Sequence, residues 1–403
     1  MKVLLIDVNC KSSSTGQIVY NLYSYLNGCG HDAAVCYGRG ELIKEKNIYK
    51  FGLDWETYLH ALLTRITGYT GCFSFFSTRR LIRFIEQYNP DIVHIHELHA
   101  YFVNIKPLLS YLANRNIRVV HTLHCEFSYT GKCGHSVECE KWKTECGKCP
   151  HLKDYPATIC FDHTKRMHQI KKHAFQSLKI ATYVAPSQWL FNRMKDSFLC
   201  HCDIRLIHNS IDTNVFFPRT NAQFRKKNNI DDDTKVVLAV APGLLSDENK
   251  GGKFVLELAD RMNDYLFILI GADEAPYEKG NVRSLGKIYD KEILADYYTT
   301  ADVFLICSRN ENFPTTCIEA VCCGTPVVGF DVGGAKEVAT GDLGTFVRYG
   351  DLNLLEDAVK SVIENGCDRL NDQFCMSQKH FSVDRMCNDY MSLYKELCSR
   401  NVV

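Results

Sequence analysis

Glu311-Asn-Phe-Pro-Thr-Thr-Cys-Ile-Glu319, trailed by Cys323-Gly-Thr-Pro-Val-Val328, is the stretch whose reading settles the rest of the chain. The run before it, Asp302-Val-Phe-Leu-Ile306, is apolar and β-prone, and Ser308-Arg-Asn-Glu311 bounds it. That pattern predicts a buried strand ending in a loop. Proline suits a first helical turn, so a short helix is expected from about Pro314 to Cys323, stopped by Gly324. Glu311 then lies in the loop before the helix and Glu319 one to two turns inside it. The N–H groups of Thr315 and Thr316 point at whatever binds there. A helix N-terminus at the carboxyl end of a strand in an α/β sheet is where phosphate-bearing ligands bind. Taken alone, the two carboxylates read equally well as a surface charge and a helix cap.

Working outward, the same alternation fills both halves of the chain. In the first half, Lys2–Asp7, Ala33–Tyr37, Asp91–His96, Ile117–His124, Ile180–Ala185 and Ile204–Ile207 read as strands. Apolar residues at helical spacing separate most of them, as at Ile18, Leu22, Tyr25 and Leu26. In the second half, Lys235–Ala241, Leu266–Ile270, Asp302–Ile306 and Thr325–Phe330 are strands. Alternating β and α segments imply a parallel sheet. The expected fold is therefore α/β, two doubly wound Rossmann-like domains whose strand C-termini face a cleft. The first domain is set at 1–218, interrupted by a Cys-rich insertion at 125–160. The second is set at 235–380, with a C-terminal helix at 381–403 that can pack back on the first. The polar segment Asn221–Thr234, with Arg225-Lys-Lys227 and Asp231-Asp-Asp233, reads as the connection. Residues 41–78 are less regular, and their aromatics, Trp55, Tyr58, Tyr69, Phe73, Phe75 and Phe76, read as core or cleft lining.

Composition narrows the function. Lys+Arg and Asp+Glu are both 47, which removes the electrostatic case for nucleic acid as the main partner. The N-terminus is charged too early for a secretion signal, and no apolar run approaches the ~18 residues that span a bilayer. A cytoplasmic protein is expected, at most docked peripherally on the inner face of the plasma membrane, with the mildly basic, aromatic stretch Trp55–Arg83 as the segment to lie there. Neither Gly-x-Gly-x-x-Gly nor a P-loop is present. The polar loop Ser12-Ser-Ser-Thr-Gly16 can still offer N–H groups to a phosphate. His96, Glu97, His99 and His124 crowd the ends of two strands.

Most of the 20 cysteines sit in apolar contexts as small hydrophobes. Cys133, Cys139, Cys146 and Cys149 differ: they lie within 17 residues of a polar, Gly/Lys-rich stretch and end in Cys-x2-Cys. Four thiolates suit a closed, tetrahedral, structural zinc site. Reduced thiols, an iron–sulfur cluster and disulfides are the other readings, and His135, His124 or Cys125 the other ligands.

These residues carry a resemblance. Tyr298-Thr-Thr-Ala-Asp302, Ser308, Glu311–Ala320, Gly324-Thr-Pro-Val-Val328, Gly333-Gly334 with Glu337, and Phe381-Ser382 with Tyr390 are similar to the retaining nucleotide-sugar glycosyltransferases of family 4, which share the GT-B architecture. Gly30-His31, Asp91-Ile-Val-His94, His124, Pro186-Ser187 and Asn209 with Ile211-Asp212 extend the likeness through the first half. The Cys-rich insertion, with Trp142 and Cys-Gly-x-Cys-Pro, resembles that of colanic-acid and O-antigen type transferases. The resemblance implies a nucleoside-diphosphate sugar as donor, UDP favoured over GDP, and a glycan or lipid-linked acceptor in bacterial surface polysaccharide synthesis. It implies that Glu319 holds the ribose, Glu311 the donor sugar, Thr315 and Thr316 sugar or diphosphate, and Lys250 the diphosphate. Gly16 and His124 would reach the donor from the first domain. No catalytic metal is expected. A non-catalytic partner subunit of the same fold is the rival reading. It draws support from one departure: the arginine usual after the glycine of the phosphate loop is replaced by Leu244 after Gly243, leaving Lys250, Arg283 or Lys287 to supply the charge.

Overall fold

The structure, a computed structural model, describes residues 1–219, 222–366 and 372–400. Two compact units make it up: Met1–His208 together with the chain from Met386 onwards, and Asn209–Arg385.

The first unit holds strands β1 (Lys2–Asp7), β2 (Asp32–Tyr37), β3 (Ile48–Lys50), β4 (Ile92–Ile95), β5 (Arg118–Thr122), β6 (Ala181–Ala185) and β7 (Asp203–Leu206). They form one parallel sheet in the order β3-β2-β1-β4-β5-β6-β7. Val3 pairs with Ala33 on one side and Ile92 on the other. Strands covered on both faces read as continuous apolar runs, and Val3, Leu4, Leu5 and Ile6 are fully buried. The strand order reverses at β1 and β4, and ligands bind outside the carboxyl ends at such a switch point. Helices α1 (Ser13–Gly28), α2 (Asp54–Thr67), α3 (Phe75–Tyr88), α4 (Ile105–Asn114), α5 (Thr164–Gln176) and α6 (Gln188–Asp196) surround the sheet.

The second unit repeats the plan. Strands β8 (Lys235–Val240), β9 (Tyr265–Ile270), β10 (Tyr277–Lys279), β11 (Val282–Ser284), β12 (Val303–Ile306), β13 (Val327–Phe330) and β14 (Gly344–Val347) run in the order β10-β11-β9-β8-β12-β13-β14. All pairs are parallel except β10 with β11. The switch point lies between β8 and β12. Its helices are α7 (Ala222–Lys227), α8 (Gly252–Arg261), α9 (Lys291–Thr300), α10 (Thr315–Cys322), α11 (Ala335–Val338), α12 (Leu352–Asn365) and α13 (Asp372–His380), and α14 (Val383–Ser399) closes the chain.

Several expectations are revised. The irregular reading of residues 41–78 gives way to β3, all of α2 and the start of α3. The polar segment before β8 contains α7, and Phe216 and Ile230 on either side of it join the second unit's core; Asn221 lies outside the described residues. The Gly-rich turn at 331–337 ends in α11. From Met386 on, α14 packs on the first sheet. Tyr394 Oη lies 2.6 Å from His94 Nδ1, Tyr390 Oη 2.8 Å from Thr122 Oγ1, and Arg118 Nε donates to Leu397 O.

Candidate active site

The decisive stretch folds as its residues suggest. Ile306 ends β12 and a loop carries Ser308–Phe313. Pro314 takes the extended conformation of an N-cap, and α10 begins at Thr315. Thr315 and Thr316 form its first turn, and Cys317 and Ile318 are the first to donate back, to Pro314 O. Two glycines shape the surroundings. Gly333 (φ +58°) packs so closely that a Cβ there would meet Glu311 O at 1.8 Å, and Gly334 N donates to the same oxygen at 2.9 Å. Gly251 (φ +71°) abuts Cys307 O, where a Cβ would sit at 2.0 Å. The first glycine fixes the Glu311 backbone, and the second presses the Lys250 loop onto the end of β12.

Lys250 ends a single 3₁₀ turn, Glu248–Lys250, outside β8. Its Nζ lies 2.9 Å from Glu311 Oε1, both side chains being largely buried. Burial works against the ammonium charge, yet Glu311 outweighs it and holds the Lys250 pKa above its ordinary value. At Glu319 burial wins instead, with Lys291 supplying only a lesser opposing charge. Burial pushes its carboxyl up to about 7, against a hydrogen bond from Tyr298 Oη at 2.9 Å on α9. The two carboxylates therefore differ in kind: one is an ion-paired base beside a cation, the other a half-buried acceptor poised near neutrality.

Of the cations considered for the missing arginine, Arg283 is committed elsewhere, to Glu278 at 2.6 Å and Asn228 O at 2.6 Å. Lys287 pairs with Asp273 at 2.6 Å, and Asp273 takes a hydrogen bond from Ser246 Oγ beside Gly243. Lys287 is thus held against the loop after β8 through one carboxylate.

In the first unit, the ends of β1, β4 and β5 gather Asp7, His96, Glu97 and His124. His96 Nδ1 and His124 Nε2 are 3.1 Å apart with the rings stacked. Burial lowers the pKa of both, which favours the uncharged rings. Asp7 is fully buried; desolvation, then the Glu97 charge, raise it to about 7. His94 and His121 are saturated by Tyr394 and Thr122, and by Ile95 O and Ser128, and are structural. Gly16 lies in the first turn of α1 rather than in the preceding loop; its N–H meets Ser13 Oγ at 3.2 Å, and a Cβ there would meet the Asn9 backbone at 3.3 Å.

The Cys-rich insertion is irregular apart from a 3₁₀ turn at Lys141–Lys143, and it is pinned by buried charge. Glu126 receives Arg193 Nε at 2.7 Å and Ser136 N at 2.6 Å. Lys132 Nζ donates to the carbonyls of His151, Leu152 and Asp154. Trp142 is buried under the Arg193 guanidinium, 4.6 Å from its ring centre. Cys133, Cys139, Cys146 and Cys149 line one cavity of about 20 Å³, and Gly131 N donates to Cys146 Sγ at 3.2 Å. A hydrogen bond from Cys133 lowers Cys149 to about 6 while Cys133 moves up. The four sulfurs share one small space, but no three of them lie within 4.8 Å of one another, so a tetrahedral zinc–thiolate site would draw them closer together. Among the described residues, the one set of three metal-ligating groups gathered within 4.8 Å lies elsewhere, at Glu97, His99 and Cys125. His99 Nε2 is 3.0 Å from Glu97 Oε2. Burial opposes both charges, but each holds the other ionised. All described cysteines are free thiols, which sets aside the disulfide reading for them.

Sequence alone did not single out Tyr298 as the partner of Glu319, nor the Lys250–Glu311 pair. The first is set by the packing of α9 on α10 and the second by a glycine's close approach, and neither leaves a spacing signal.

Comparison with known proteins agrees with the fold. Residues 15–215 match the family described as Glycosyltransferase Family 4, and residues 220–375 the family described as Glycosyl transferases group 1. The chain is 26% identical over 326 residues to a protein of Escherichia coli K12 described as a colanic acid biosynthesis glycosyl transferase, WcaC, covering 76% of this chain and 77% of that protein. It is 23% identical to a 41.2 kDa protein in the cps region of Klebsiella pneumoniae, over 76% of this chain and 78% of that one. Among solved structures, sucrose-phosphate synthase from Thermosynechococcus elongatus superposes with a TM-score of 0.73 at 17% identity, over 98% of each chain. Anabaena Alr3699/HepE in complex with UDP-glucose does so with 0.67 at 14%, over 98% of this chain and 100% of that one. The fold is GT-B.

Proposed function

We propose that this chain, a glycosyltransferase, moves a sugar with retention from a nucleoside diphosphate, UDP before GDP, to a lipid-linked glycan in bacterial surface polysaccharide synthesis. The observation that carries the reading is the 2.9 Å pairing of Lys250 with Glu311 beside the first turn of α10. Breaking the sugar–phosphate bond puts negative charge on the departing diphosphate and positive charge on the anomeric carbon. Lys250 and the N–H groups at Thr315 and Thr316 stabilise the first without a metal. Glu311 positions the sugar and steadies the second. Glu319, held by Tyr298, accepts the ribose hydroxyls. Lys287 takes part of the charge that the absent arginine would have supplied. The acceptor oxygen bonds to the anomeric carbon on the face the diphosphate leaves, and its proton passes to the leaving phosphate oxygen.

The E. coli and Klebsiella relatives support the polysaccharide setting, and the bound UDP-glucose of the Anabaena protein supports the donor class. Zinc, held by Cys133, Cys139, Cys146 and Cys149, would brace the insertion and supply no chemistry. The test is calorimetry with UDP and GDP, followed by turnover of labelled nucleotide sugars on a lipid-linked acceptor. UDP binding with transfer is expected. Absence of binding by either nucleotide sinks the reading in favour of a non-catalytic subunit.

A further inference from the structure

Helix α2 is built inside out. Its inward face is polar: Glu56, Thr57, His60 and Thr64 are buried. Apart from His60 Nε2, which is buried without a hydrogen-bond partner, the polar groups there are paired. Glu56 takes N–H bonds from Phe76 and Ser77 at 2.8 and 2.7 Å and so caps α3; His60 Nδ1 meets Ser74 Oγ at 2.8 Å; Thr64 donates to Tyr69 O. The outward face is apolar. Trp55, Tyr58, Leu59, Leu62 and Ile66 recur at helical spacing, and Tyr58 is 73% exposed. Water-facing apolar residues are ordinary when scattered, but a contiguous patch marks an interaction surface.

The patch is contiguous. Trp55 lies 6.0 Å, ring to ring, from Phe76, and Phe75 and Phe76 are each 61% exposed at the tip of α3. At the other end of α2, Ile159 N donates to Arg65 O, which brings in Ile159, 77% exposed, and Phe161. The charges beside it are positive. Arg65 borders the α2 stripe, and Arg79 and Arg83 continue the outer face of α3. All three are exposed, and none makes an ion pair among the described residues. The nearby acids are occupied: Asp54 by Lys50 at 3.0 Å and Glu86 by Arg115 at 4.0 Å. No described helix is long and apolar enough to cross a membrane.

We propose that the outer face of α2, with the tip of α3 and the 159–161 loop, docks on the surface of an anionic phospholipid bilayer. Aromatic and aliphatic side chains on one helix face enter the headgroup boundary while flanking arginines meet lipid phosphates. An outer face of Trp, Tyr, Leu and Ile with unpaired arginines at its margin fits that boundary better than a protein groove, where those charges would need carboxylate partners. The docking serves the lipid-borne acceptor proposed above and rests on that proposal for its purpose.

The experiment is co-sedimentation of the full chain with phosphatidylcholine vesicles, with and without roughly one-third phosphatidylglycerol. Trp55 is the exposed tryptophan, since Trp142 is buried and Trp189 half-buried. Sedimentation with the anionic vesicles and a blue shift of tryptophan emission are expected. Replacing Leu59, Leu62, Phe75 and Phe76 by serine should cut vesicle binding at least about tenfold, and Arg65→Gln/Arg79→Gln/Arg83→Gln should remove the preference for anionic lipid. The variants' melting temperature and UDP binding should match the parent's, which separates this surface from the transferase reading. Equal sedimentation of parent and serine variant, or none by either, overturns the docking. So does a parent dimer that the serine variant dissolves without vesicle binding, because the face then belongs to a second copy.

Discussion

Lys250 Nζ and Glu311 Oε1 lie 2.9 Å apart although 61 residues separate them in sequence. The pair holds a cation and a carboxylate in reserve at one point, each oriented by the other. Lys250→Ala should weaken nucleotide-diphosphate binding by about ten- to a hundredfold, the range for a charge-assisted hydrogen bond. Glu311→Ala should leave binding nearly intact and lower turnover. Calorimetry and single-turnover kinetics on the two variants separate these effects. Parent-like behaviour in both would dissolve the assignment.

Glu319 makes stability depend on pH with a definite sign. Its folded pKa is raised to about 7 from 4.5, so between those values the folded chain holds a proton that the unfolded chain has lost. Stability from this group is full in acid and falls as pH rises through that window. Glu319→Gln should therefore match the parent near pH 5 and melt above it near pH 8. Nucleotide binding by the parent should strengthen as pH rises through about 7, because ribose hydroxyls donate to the carboxylate, and the Gln variant should lose that dependence.

Gly333 is the backbone wedge beside Glu311. A Cβ 1.8 Å from the Glu311 carbonyl, at φ +58°, cannot be accommodated in place. Gly333→Ala should cost more than about 2 kcal/mol by denaturant titration and lower turnover with it. Gly28→Ala, at a helix position with open space around it, should change stability by less than about 1 kcal/mol. Equal effects would deny the wedge.

Zinc has two candidate holders, and metal analysis can tell them apart. One equivalent per chain is expected in parent protein and in Cys125→Ser. Cys146→Ser should lose it. Chelation should lower the melting temperature of the parent, because a structural zinc contributes to folding. Retention of zinc in Cys146→Ser with loss in Cys125→Ser would move the site to Glu97, His99 and Cys125.

What sequence could reveal followed from periodicity. Continuous apolar runs such as Val3–Ile6 and Val303–Ile306 are legible because both their faces are buried, and the loop–helix geometry around Glu311 follows from Pro314 and Gly324. Strands β3, β10 and β11 are three residues each, too short to show a period. Helix α2 misled for a deeper reason. Its polar residues point inward to cap α3 and bind Ser74 and Tyr69, so its aromatics, read as core or cleft lining, stand in solvent instead. Only tertiary partners could reverse that reading.

The attachment of α14 to the first sheet has a consequence for synthesis. His94 and Thr122 are buried, and their hydrogen bonds run to Tyr394 and Tyr390. The first unit to leave the ribosome is thus the last to be completed. It must wait on the order of ten seconds or more while the second unit is translated, with the polar groups of β4 and β5 still open to water. A nascent chain stalled before Met386 should be protease-sensitive in its first half, while a chain released after Leu397 should not.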